Sequence, residues 1–194
     1  KNTKLHLRTY YYMPKSEREK GALLRLLVNG EEKADVLGRG QIECDGEEHY
    51  ATWDLTPYAG QKIMLKFETA LANKKDRIVF VYYRLNKTTE TKDAGIAWVN
   101  EPAIEAKVSM QNETIRFKVM NFTSSEITNV PVSVQVDGKL IYSTLIETLK
   151  PFEDRIIAVE HNFASEAPHK FSVVVRAATE GDTKPANDEE TFEV

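Results

Sequence analysis

Residues able to carry chemistry are thinly scattered along this chain. Four histidines, His6, His49, His161 and His169, lie far apart, and none has the spacing of a zinc site or a metalloprotease helix. Surface positions are expected for them. Cys44 is the single cysteine, which excludes an intrachain disulfide. No His or Lys flanks it, so it reads as a small half-buried residue rather than a nucleophile. There is no Gly-x-Ser-x-Gly elbow, no phosphate-cradling glycine loop and no dinucleotide fingerprint. The expectation is a protein that is not an enzyme, with catalytic residues none.

Two acidic groups invite a calcium reading: Asp45-Gly46-Glu47-Glu48, and Asp182 with Asn187 and Asp188. Calcium takes six to eight oxygens, many of them backbone carbonyls that a sequence does not display. Asp and Asn side chains also close turns by bonding their own backbone a few residues on. Both groups therefore read as turns; structural calcium stays open without being favoured, and no cofactor or metal ligand is assigned.

The candidate ligand-binding set is a strip of four side chains. His6, Arg8, Tyr10 and Tyr12 alternate with Leu5, Leu7, Tyr11 and Met13, and successive strand residues point to opposite faces. With the leucine face as core, the strip turns rings and hydrogen-bond donors outward, a combination suited to stacking on sugar rings. The competing reading is that a neighbouring strand, domain or missing segment covers it. Any binding is expected in this N-terminal half, because aromatics in the second half fall singly among aliphatic core positions.

The elements that must carry the strip are strands. Residues 50–68 place Trp53 in alternation with Ala51 and Leu55, turn at Thr56-Pro57-Tyr58-Ala59-Gly60, and resume with Ile63, Leu65 and Phe67 on one face. Period-two alternation runs from residue 4 to 86, through expected strands at 4–13, 22–28, 41–44, 50–55, 61–69 and 77–85. Asn29-Gly30 marks a tight hairpin, since both turn positions need positive φ. The run from Ser16 to Lys20 reads as a loop or a short helical turn. Between Asn86 and Pro102 the alternation lapses, and this stretch is expected to be the interdomain joint, with Trp98 packed at or beside it. Alternation returns at Ala106/Val108/Met110, Ile115/Phe117/Val119 and Val130/Val132/Val134/Val136. A second hairpin follows at Asp137-Gly138, then strands at 140–142, 156–159, 171–177 and 191–194. About seven short strands in such a span is the count of an immunoglobulin-like sandwich. The reading is all-β, with residues 1–90 and 91–194 as two domains.

Two resemblances sharpen this. The segment Trp53-x-Leu55-Thr56-x-Tyr58-Ala59-Gly60 with Ile63, Leu65 and Phe67 resembles the signature of MAM-like jelly rolls, which include cleaved-adhesin and choice-of-anchor modules of secreted bacterial proteins. The final strand departs from that family: Ile78 to Leu85 lacks its usual Asp, which implies a simplified or truncated jelly roll. The second half resembles the CARDB-type adhesion-related domain, an Ig-like or fibronectin-III-like sandwich. The matching residues are Asp93-Ala-Gly-Ile-Ala-Trp98, Ile115-x-Phe-x-Val-x-Asn121, Val130-Pro-Val-x-Val-x-Val-Asp-Gly138, Leu149-Lys-Pro151 and Gly181-Asp182 through Asn187-Asp188.

These resemblances imply a secreted or cell-surface bacterial module for adhesion, targeting or spacing. Its partners would be a host or bacterial surface glycan or protein, and its neighbours further domains of a longer polypeptide. The alternative is an accessory region of a secreted hydrolase, such as a peptidase, whose catalytic domain lies elsewhere. A start at Lys1 without Met fits a processed piece whose signal peptide has been removed. A net charge of −4 with mixed signs opposes nucleic acid binding, and no apolar run reaches the roughly 20 residues of a membrane span. Three sequons, at Asn86, Asn112 and Asn121, say little about glycosylation, since one or two would arise by chance in a chain with this much Asn, Ser and Thr.

Overall fold

The computed structural model describes residues 4–12, 23–43, 49–70, 79–88, 91–101, 112–163 and 170–194. Met13, the charged run 16–20, Cys44, the 45–48 acidic loop, Ala106/Val108/Met110 and His169 lie outside these residues, as does the Tyr12 side chain. The chain divides into two compact units, 1–90 and 91–194. Both are built of antiparallel strands, and among the described residues no helix is long and apolar enough to cross a membrane.

Unit 1 holds β1 (Lys4–Tyr12), β2 (Leu23–Val28), β3 (Glu31–Lys33), β4 (Ile42–Glu43), β5 (His49–Asp54), β6 (Leu65–Ala70) and β7 (Val79–Thr88). One sheet runs β5-β1-β7. In the other, β2 pairs with β6 on one side and with β3 and β4 in turn on the other. Their facing sides share one core: Leu7, Tyr11, Ala51 and Trp53 from the first sheet meet Leu24, Leu26, Val28 and Ile42 from the second. Trp53 is fully buried, its ring meets Phe67 edge-on at 5.7 Å, and its indole N–H donates to the Lys33 carbonyl at 3.0 Å. That bond satisfies the one polar atom the residue takes into the core. Asn29 and Gly30 turn β2 into β3 with φ of 53° and 89°. Asp35 braces the next loop, accepting the Leu37 and Arg39 amides on Oδ1 and pairing with the Arg39 guanidinium through Oδ2.

Alternation does not decide burial at the edges of this unit. Tyr83 and Leu85 lie opposite Thr9 and Leu7 and so share their core-side parity, yet they stay 71% and 56% exposed. They sit on an edge strand that the second sheet does not cover. Leu65 and Met64 also remain exposed at the start of β6, so the sequence-expected strand 61–69 begins four residues late.

Unit 2 holds β8 (Ala94–Glu101), β9 (Asn112–Asn121), β10 (Ile127–Val136), β11 (Lys139–Leu149), β12 (Asp154–Asn162), β13 (Ser172–Ala177) and β14 (Glu189–Glu193). A three-stranded sheet β12-β9-β8 faces a four-stranded sheet β11-β10-β13-β14, the three-plus-four arrangement of an Ig-like sandwich. The core stacks Ile115, Phe117 and Val119 against Val130, Val132, Val134, Val173 and Val175, all nearly sealed from solvent. β-branched side chains suit such a pleated interior because their restricted χ1 matches the strand backbone. Phe163 and Phe171 close one end, ring centroids 4.9 Å apart.

The division between the units, after residue 90, falls inside the expected joint 86–102, but the strands on both sides reach into that stretch. β7 runs on to Thr88 and β8 begins at Ala94, so most of 86–102 is strand. Of the polar run 87–93, Lys87 and Thr88 end β7, while residues 91–93 are not strand, as the loop reading expected. Trp98 lies inside β8, where it packs beside Lys118 of β9.

Candidate functional site

The strip lies on the β5-β1-β7 sheet, on the side away from the core. β1 is central, so each of its outward residues has a neighbour on both sides. His6 stands between Asp54 and Asn86, Arg8 between Thr52 and Arg84, and Tyr10 between Tyr50 and Tyr82. Parity and pairing therefore enlarge the set. Tyr50 and Arg84 join it, and the sequence reading missed both, since nothing local to β1 reveals which strands flank it.

The rows differ in burial. His6 is only 3% exposed, which corrects the expectation of a surface histidine on an open face. Burial holds its imidazolium below the ordinary range; the Asp54 carboxylate opposes this and Lys4 adds to it. Asp54 is anchored in turn, with Oδ1 accepting the Thr56 amide at 2.8 Å. Its burial would raise the carboxyl pKa, but the Thr56 hydrogen bonds, with His6 and Lys33, bring it below the usual value. This end of the strip is a structural seal.

The other two rows are accessible. Arg8, Tyr10 and Tyr50 are half-buried and Arg84 is exposed. The Arg8 guanidinium lies 5.4 Å over the Tyr50 ring, and Tyr10 meets Tyr50 at 5.4 Å with a 59° tilt. Beneath them Thr52 is buried with its hydroxyl unpartnered. The pairing fixes these rings on a rigid sheet, so little side-chain order is left to be imposed on binding. The cluster offers two aromatic edges, a guanidinium fork and a second cation.

The other sequence candidates resolve as local braces. Asp182 Oδ1 accepts the Lys184 amide at 2.7 Å and Oδ2 the Ala94 amide at 2.9 Å, so this residue closes a turn and ties it to β8. Asn187 donates to buried Asp93 at 2.9 Å, and Lys184 pairs with the same carboxylate at 2.8 Å. Burial, with repulsion from Asp182 and Asp93, raises the Asp188 carboxyl against the pull of Arg176. Among the described residues no three His, Cys, Asp or Glu side chains are grouped to hold a metal ion. His161 stacks edge-on against Phe163 at 4.6 Å, and His49 lies 5.9 Å from Tyr11.

One open groove, of about 440 Å³, lies over the second sheet of unit 1, lined by Leu23, Arg25, Gln41, Lys66, Glu68 and Thr69. Arg25 reaches Glu68 at 2.6 Å and Glu32 at 3.4 Å, and Lys66 takes the other Glu68 oxygen at 2.6 Å. Its charges satisfy one another and leave little polar demand for a ligand.

No protein-family model matches the chain, and no match emerged among curated proteins. Among solved structures, the CARDB domain of a Pyrococcus furiosus protein is similar over 55% of this chain and 95% of its own, at 16% identity and TM-score 0.46. A GH2 β-galacturonidase from Eisenbergiella tayi, solved with galacturonate, aligns with all of this chain at 12% identity and TM-score 0.39; the chain spans 34% of that enzyme. A Bacteroides uniformis β-glucuronidase 2, a calcium-binding mutant, aligns with 99% of the chain at 13% identity and TM-score 0.31, over 24% of its own length.

Proposed function

We propose that this chain is a non-catalytic binding segment of a secreted or cell-surface protein. In this reading the first unit, a jelly-roll-like sandwich, holds carbohydrate on the outer face of β1. The second unit, a CARDB-type sandwich, serves as its carrier and spacer. The observation behind this reading is the Arg8–Tyr10–Tyr50 cluster. A stacking ring flanked by fixed donors is what a shallow sugar site needs, and a half-buried aromatic pair on a polar sheet face is hard to explain by packing alone. The described carboxylates Asp35, Asp54, Asp93, Asp154 and Asp182 all brace turns or cations, which suits a scaffold.

The test is glycan-array binding by the intact chain beside a Tyr10→Ala/Tyr50→Ala variant. Loss of binding with retention of the two-unit unfolding profile is expected. Equal binding by both proteins would remove the cluster from consideration, and a blank array for the intact chain would leave the spacer role alone.

A further inference from the structure

We infer that the free edge of β11 joins a second copy of this chain, edge to edge and antiparallel, about a two-fold axis at Ser143.

β11 ends its sheet: among the described residues it pairs with β10 alone, so alternate backbone N–H and C=O groups along its other edge have no ladder partner. Edge strands are ordinarily blunted by charge or proline, yet Leu140-Ile141-Tyr142-Ser143-Thr144-Leu145 contains neither. Leu140 and Leu145 are 57% and 53% exposed, the two exposed large hydrophobics of this unit among the described residues. Both belong to the outward row. Leu145 stands opposite Pro131, Ser143 opposite Ser133 and Leu140 opposite Gln135, while Tyr142, Thr144 and Ile146 stand opposite the core valines of β10. The register shifts by one residue at Ile141, so Leu140 comes two positions before Ser143 just as Leu145 comes two after.

That symmetry names the occupant. An interface about a two-fold axis must be self-complementary, each patch meeting its own image. With Ser143 opposite Ser143 of the second copy, Leu140 of each chain lies opposite Leu145 of the other, and the exposed leucines become cross-strand pairs. The ends add charge. Lys139 and Glu147 flank the row, both exposed and without an ion partner among the described residues. The same register sets each Lys139 one step from the other copy's Glu147. Beyond Glu147, Arg155 takes the Thr148 carbonyl at 3.2 Å, so the open stretch ends where this pairing does. An unrelated strand would need neither the matched leucine spacing about Ser143 nor the opposite charges at the two ends.

The experiment measures mass by sedimentation equilibrium over an about 100-fold range of concentration, where self-association follows mass action. The intact chain should pass from monomer to dimer. Ser143→Lys and Ser143→Glu each set like charges face to face on the axis and should weaken the dimer at least about tenfold. An equal mixture of the two variants sets Lys opposite Glu and should restore it. Ser143 is exposed, so both variants should keep the intact chain's unfolding transition. If one does not, Leu145→Gln, which takes away half of each leucine pair without adding charge, gives the same reading by weakening the dimer. A monomer at every concentration, a dimer indifferent to these substitutions, or a mixture as weak as its components would overturn the inference.

Discussion

Each unit sets a cation beside an aromatic ring on a sheet face turned away from its own core, and the two outcomes are opposite. In unit 2, Lys118 is sealed at 0% exposure, pairs with Asp154 at 2.6 Å and lies 5.2 Å from the Trp98 ring. In unit 1, Arg8 lies over Tyr50, but the residue across the strand is another arginine and the row stays open. A cation given a carboxylate and closed off becomes structure. Arg8, by contrast, stays half-buried with Tyr50 beneath its guanidinium and Arg84 opposite it on β7. The ingredients are nearly the same, and what separates the two is that Lys118 is sealed together with a carboxylate from the neighbouring strand.

Breaking the sealed pair should have the largest effect. Asp154→Ala strands a buried ammonium, and such losses run to about 3–5 kcal/mol, seen as an earlier second-unit transition in urea. Lys118→Met with Asp154→Leu removes both charges and should return most of that stability, since apolar replacement of a whole buried pair is often neutral or favourable. A double variant no more stable than Asp154→Ala would show that the pair is not the unit that matters.

The open pair should respond in the other direction. Arg84→Gln relieves a like-charge contact and should stabilise the free first unit by about 0.2–1 kcal/mol, less so in high salt. A loss of stability, or a gain that salt does not diminish, would mean that the two guanidinium groups do not repel.

The smallest effect lies at the sealed end of the strip. A histidine whose folded pKa is depressed below its unfolded value of 6.5 leaves the unfolded chain holding more protons. Its neutral form contributes fully above that value, and the contribution falls as the pH drops below it. Asp54 is depressed from 3.8, so its own loss begins only in stronger acid and the two windows separate. The native chain should therefore lose stability relative to His6→Gln between about pH 7.5 and pH 5. A flat difference over that interval would place the His6 ring in ordinary solvent.

Much of this was legible in the residues. Ala51, Trp53 and Leu55 all lie in the core as their alternation demanded, and Asp137 and Gly138 turn β10 into β11 with φ of 47° and 75°. Side-chain parity along one strand is local chemistry. What covers a face is not, so the same parity that placed Leu7 inward left His6 apparently open, and Tyr83 and Leu85, opposite Thr9 and Leu7, stay exposed. Arg84 and Tyr50 stood far from Arg8 in sequence, and only strand pairing could bring them together. The polar stretch after Asn86 marks the division between the units, while the strand ends bordering it, Lys87–Thr88 and Ala94–Glu101, were missed because at a sheet edge hydrogen-bonded backbone rather than apolar content makes the strand.

Asn121 carries a consequence for how the protein can be made. Its amide donates to the carbonyls of Ser125, Leu149 and Lys150 at 2.8–3.1 Å, while its oxygen accepts from both the amide and the hydroxyl of Thr123. The residue begins Asn-Phe-Thr, which a eukaryotic secretory pathway reads as a glycan acceptor. Once folded, the nitrogen is out of an enzyme's reach; during synthesis it is not. Production in such a host sets sugar transfer against folding in a race, and each chain modified first arrives with its corner bond blocked. Secretion from yeast or insect cells should divide the product into a glycosylated, misfolded fraction and a native one, whereas bacterial expression escapes the contest.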